Sequence, residues 1–236
     1  MKQFLRVLLG VALLPCAWGS ARAFFDTLVA MPTAAGALFP PGVLPLLAGV
    51  AACLVGWFVF PKPVRAYVLG HELTHAFFAL LSGARVKRLR VGSEGGSVQV
   101  SKSNVLVTLS PYFVPFYTVL VILAALVVRV LLGRLPCVDA WSFLVGVTWC
   151  FHCCFTVQSL MQRQTDIEEY GHIFSWTVIF LANVLLAMAW LTLTSPLSPR
   201  VPAAALLTRV AAAYEGVGGW TRCAIRRAES AFGARR

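Results

Sequence analysis

Five consecutive positions hold most of the chemistry this sequence offers. Gly70-His71-Glu72-Leu73-Thr74-His75 contains the pattern H-E-x-x-H. On a helix, residues four apart share one face, so both imidazoles reach a common point. Two imidazoles so placed are a ligand pair for zinc, and the intervening Glu72 can act on a metal-bound water as general base. Zinc brings the pKa of such a water toward about 7, which supplies hydroxide at neutral pH. The competing structural reading is a polar helix–helix contact. It requires three ionisable residues within five positions of an apolar stretch, each costing about 3 kcal/mol at the centre of a membrane helix. The whole chain has only four histidines, so the functional reading is the stronger.

A zinc centre of this kind takes a third protein ligand. Asp26 and Asp139 are remote from the motif. Asp166, in Gln164-Thr165-Asp166-Ile167, precedes the last apolar stretch, which His172 opens, and His152 lies in the middle of the stretch from Trp141. Depth favours His152, which counts to the level of His75, whereas Asp166 counts to the opposite face. The hardness of an anionic ligand favours Asp166. The bland readings are a polar bundle contact for His152 and a helix N-cap for Asp166. Residue chemistry alone leaves both candidates open.

The elements that position these residues are membrane helices. The 236 residues are 59% hydrophobic and 12% charged, about half the charge of a soluble domain, with mean hydropathy +0.79. The net charge of +11 falls between apolar runs and in the C-terminal tail. There it anchors a cytoplasmic face on anionic membrane lipid, and no nucleic acid partner is expected. Of the seven cysteines, Cys16, Cys53, Cys150, Cys153 and Cys154 lie within apolar runs, where cysteine behaves as a small hydrophobe. A soft-metal site at Cys150, His152, Cys153 and Cys154 is the weaker reading of that cluster.

The expected fold is an all-α polytopic membrane protein of five to six transmembrane helices, with a short β-hairpin after the HExxH helix. Residues 1–42 form a signal-like anchor and an interfacial segment. Lys2 and Arg6 precede an apolar run from Phe4 to Trp18, Ser20-Ala21-Arg22-Ala23 offers a signal-peptidase-like site, and the segment is read as uncleaved. Phe24 to Pro41, broken by Asp26 and prolines, reads as interfacial or re-entrant. Residues 43–194 form the membrane core, with spans Val43–Phe60, Val64–Ser82, Val105–Leu132, Trp141–Gln158 and His172–Thr194. Pro111 and Pro115 move the start of the third helix to near Phe113. From Arg85 to Ser103 the texture changes to alternation at period two around a Gly/Ser-rich turn, which is the hairpin. Residues 195–236 form a basic cytoplasmic tail able to make an amphipathic surface helix. Placing the basic span ends in the cytoplasm leaves the basic hairpin on the other side.

The block from Tyr67 through Pro115 resembles the site-2 protease, or M50, family of intramembrane zinc metalloproteases, its compact M50B-like branch in particular. The matching features are HExxH within a span, Gly83 soon after, a β-rich excursion, and a following span that begins at Ser110-Pro111, similar to the family's Gly-Pro motif. The resemblance implies that a later aspartate completes the zinc site. Asp166 matches by order, although Ile167 stands where the family has glycine, and His152 is the alternative ligand. It implies hydrolysis of peptide bonds in transmembrane or membrane-associated proteins, with Glu72 as the catalytic base, in a multi-pass protein of the bacterial inner membrane. Two other readings use the same residues: a non-catalytic membrane protein with a vestigial metal site, and a zinc hydrolase acting on a non-peptide membrane substrate.

Overall fold

The computed structural model describes residues 2–31, 42–92, 95–195 and 197–233 and is mostly helical. Much of the segment expected to be interfacial, residues 32–41, lies outside the described residues, as do Ser93 and Glu94 at the hairpin turn. The chain divides into two units, Met1–Pro32 with Gly171–Arg236, and Thr33–Tyr170.

The first unit holds α1 (Lys2–Val29), α8 (His172–Thr194) and α9 (Arg200–Gly233). The apolar run that seemed to stop at Trp18 continues as helix through Phe24 to Val29, with Pro15 inside it. Its polar continuation is stabilised from far away in sequence. Asp26 accepts hydrogen bonds from Arg209 Nε and, at 3.0 Å, from Arg209 Nη2. Gly10 lies against the backbone of Phe174 and Gly19 against that of Val210, approaches that a Cβ would prevent. The tail is thus a long helix packed on α1.

Among the described residues, three helices, α1, α8 and α6 (Val138–Leu160), are long and apolar enough to cross a membrane. A fourth crossing arises if α4 (Val105–Leu109), the 3-10 turn Ser110–Tyr112 and α5 (Phe116–Leu132), bent by 82°, form one span. This is fewer than the five to six expected. The apolar α2 (Val43–Val59) has only 17 residues against the roughly 20 that a bilayer requires. In α3 (Val64–Leu81), Arg65 and the HExxH residues interrupt the apolar run.

The second unit positions the site. α2 and α6 run side by side in the same direction: Gly49 abuts Phe143 and Val147, Gly146 abuts Leu46 and Val50, Trp57 meets Phe155, and Lys62 meets Gln158. Glycine is required at both contacts, because a methyl group at either would run into a backbone carbonyl of the other helix. α3 runs the opposite way along α6. Tyr67 stacks on Phe155 with ring centroids 4.5 Å apart and shares a 2.8 Å hydrogen bond with Ser159.

After α3 comes the expected hairpin, β1 (Val86–Val91) and β2 (Gly96–Val100), antiparallel with Leu89 opposite Val98 and Val91 opposite Gly96. It packs on α3, and Ala79, Ala84 and Val107 form a buried knot against Phe78, Val86 and Val100. Asn104 caps α4 by accepting from the Val107 N–H. The chain then makes its 3-10 turn through Pro111, and Pro115 precedes α5, which starts at Phe116, three residues beyond the expected position. The remaining element is α7 (Thr165–Tyr170), between α6 and the second unit's end.

Candidate metal centre

Tyr67, His71 and His75 fall on one stripe of α3, each four residues from the next. The two imidazoles point their Nε2 atoms at each other across 3.2 Å. The stripe is fixed from behind. His75 Nδ1 is 2.7 Å from the Val107 carbonyl, which can only accept, so Nδ1 carries a proton and Nε2 is the nitrogen turned toward His71 and Asp166. His71 Nδ1 is 3.2 Å from the Tyr67 hydroxyl, which continues to Ser159 at 2.8 Å. Hydrogen bonds of this kind on the far nitrogen orient histidines that ligate metals.

Asp166 completes the cluster. Its Oδ2 lies 3.2 Å from His75 Nε2 and 3.6 Å from His71 Nε2. Tyr112 donates to the same oxygen at 3.1 Å, and its fully buried ring presents an edge to His71 at 5.1 Å. Burial raises the pKa of the Asp166 carboxyl, but the hydrogen bonds from His71 and His75 outweigh it and hold the group well below the usual carboxylate range. The result is an anionic carboxylate facing two imidazole Nε2 atoms, a charge arrangement that a proton on the rings or a metal ion between the three groups balances. His71, His75 and Asp166 can hold a metal ion: one ligand atom from each lies within 4.8 Å of the others.

Counted along the helices, His152 falls at the level of His75, and Asp166 near the opposite face. Instead, α7 packs beside α4, which returns Asp166 to the level of His71 and His75. His152 is buried on α6 near His71 but does not join the cluster. With His71, Thr74 and Tyr117 it lines a cavity of about 20 Å³, and a backbone hydrogen bond ties its ring to Tyr112. Asp26 is engaged by Arg209, and His172 packs edge-on against Trp176. The cysteines come together partly, with Cys150 and Cys154 sulfurs 3.9 Å apart, and the metal-capable group among the described residues is the histidine–aspartate one.

Glu72 is buried on the same helix, under the hairpin. A backbone hydrogen bond from Val98 reaches its carboxylate, and Gly96 lies against Val68 and the Glu72 side chain. Three contributors had no clear mark in the sequence. Tyr67 could have been found from its i−4 spacing to His71. Tyr112 is adjacent to Ser110-Pro111, but nothing in its type points to Asp166. The Val98 amide is a backbone group and leaves no residue signature.

In comparisons with known proteins, no family model, curated protein or solved structure matches this chain.

Proposed function

We propose that the protein is a membrane-embedded zinc metalloprotease similar to the site-2 protease family. His71, His75 and Asp166 would be the zinc ligands, Glu72 the general base, and peptide bonds of transmembrane or membrane-associated proteins the substrate. The observation that carries this reading is the shape of the ligand triangle. Tetrahedral zinc with bonds of about 2.0–2.1 Å has ligand–ligand edges of about 3.3–3.4 Å. The three edges here are 3.2, 3.2 and 3.6 Å, so the cluster fits three corners of such a site, and the fourth remains for water.

Zinc, when bound, would polarise a water molecule and lower its pKa toward about 7. The chain's own residues do the rest. His75, locked by Val107, and His71, locked by Tyr67, hold their Nε2 lone pairs in place, and Tyr112 holds Asp166. Glu72, clamped by the Val98 amide, accepts the water's proton and passes it to the leaving amine. The unpaired edges of the hairpin beside Glu72 suit an extended substrate, since a helical one hides its carbonyls in hydrogen bonds. The setting is an integral membrane protein, and the bacterial inner membrane is the compartment we infer.

The test is Glu72→Gln in the full-length protein, purified in detergent and reconstituted with membrane-protein substrates. Zinc should remain at one ion per chain while cleavage is lost. Cleavage at the parent rate would remove Glu72 from the mechanism. A parent protein that binds no stoichiometric zinc would remove the metalloenzyme reading altogether.

A further inference from the structure

We propose that the seam between α2 and α6 is a binding site for one anionic phospholipid, its phosphate on Lys62 and an acyl chain along the helices. The seam carries a trough of about 760 Å³. Pockets that enclose small ligands run from about 300 to 1,000 Å³. Most of its length is apolar or thiol-lined, from Leu46 and Val50 past Trp149 to Cys153 and Cys154. Its polar side chains, Lys62, Gln158 and Gln162, gather at one end. Because the two helices are parallel, that end is the C-terminal end of both, and the trough has the polarity of an amphiphile.

Length agrees. Thirteen residues separate Leu46 from the end of α2 at Val59, about 20 Å of helix, and Lys62 follows three residues on. One leaflet of a hydrocarbon core about 30 Å thick needs about 15 Å. Charge agrees as well. No carboxylate lines the trough, so its one cation has no acidic partner there. The Lys62 ammonium donates to Gln158 Oε1 at 3.1 Å and stands 4.4 Å over the Trp57 ring. An ammonium has three N–H groups, so donors remain for a phosphate. A tryptophan and a lysine at the end of an apolar helix also mark headgroup level. Lys62 is exposed, as is Cys153 midway along the trough. The apolar wall and the single cation specify both parts of the ligand, which distinguishes this trough from the other lipid-facing surfaces.

Cys153 supplies the assay. The full-length protein is placed in nanodiscs of phosphatidylcholine, with and without added phosphatidylglycerol, and maleimide alkylation of each cysteine is followed by mass spectrometry. Phosphatidylglycerol should slow Cys153 alkylation on the order of tenfold, equivalent to about 1.4 kcal/mol, and leave the exposed Cys137, outside the trough, unchanged. Lys62→Glu should abolish the protection, and Lys62→Arg should keep it. Equal Cys153 rates in both lipids, or full protection in Lys62→Glu, would overturn the proposal. So would protection by a synthetic transmembrane peptide in phosphatidylcholine alone, which would make the trough a protein-docking surface. Metal content and thermal stability matching the parent confirm that each variant is folded.

Discussion

Replacing Gly96 with alanine tests the claim that the hairpin holds Glu72. A Cβ at Gly96 would meet Val68 Cγ1 at 2.6 Å, Glu72 Cγ at 2.8 Å and the Arg90 carbonyl oxygen at 2.9 Å, where ordinary contact begins at 3.4 Å. Relieving the tightest of these moves β2 away from α3 by about 0.8 Å, the difference between 3.4 and 2.6 Å. The Val98 amide, two residues along the same strand, moves with it and loosens its hold on the Glu72 carboxylate. A misplacement of about 1 Å costs about 100-fold in rate when the group must be aligned for reaction. Gly96→Ala should therefore lower kcat for cleavage of a reconstituted membrane substrate by about 30- to 100-fold. Zinc content should not change, because none of the ligands touches β2. The control is Ser97→Ala on the same strand, whose side chain is exposed. The assay pairs a cleavage time course with metal analysis on the same preparation. A Gly96→Ala protein that cleaves within twofold of the parent would refute the clamp, and one that has lost its zinc would place the damage at the ligands.

Other consequences follow from the same geometry. Asp166→Ala should lose zinc on mild chelator treatment, whereas His152→Phe should retain it; the reverse order, measured by atomic absorption, would make His152 the third ligand. Tyr112→Phe removes one hydrogen bond to a buried carboxylate and should weaken zinc binding by 10- to 100-fold in a chelator competition, without changing the helical circular dichroism. Gly146→Ala should destabilise the α2–α6 pair by about 1–3 kcal/mol or more, seen as a lower thermal midpoint in detergent, because backbone on α2 must give way. Removal of metal by chelation should abolish cleavage, and one equivalent of zinc should restore it.

The pairing of His71 with His75 was legible because a helix converts i, i+4 spacing directly into proximity. The hairpin was legible for a similar reason: alternation at period two from Lys87 to Val100 has one geometric outcome. Features set by distant residues were harder to read. The helix through Asp26 depends on Arg209, 183 positions away, and hydropathy alone stopped α1 too early. The choice between Asp166 and His152 depended on where α7 goes after α6, and a count of helix depth carries no information about a connection that folds back. The number of crossings was not legible, because apolar composition does not distinguish a 17-residue helix, or a span bent by 82°, from a straight crossing.

The ligand triangle also joins distant parts of the chain. Two of its corners are rigidly linked within α3, and the third hangs on the six-residue α7. An ion held among them closes a loop of about 90 residues between His75 and Asp166, and for a free chain such a cross-link is worth about 4–5 kcal/mol in lost entropy. In a bilayer the helices within that loop would already be restrained, so the tether would act mainly on the short connection from Met161 to Gly171. Loss of the ion would then leave the apolar helices standing and release that connection. Hydrogen exchange would register this as a local opening at α7, well below the threshold for unfolding the bundle.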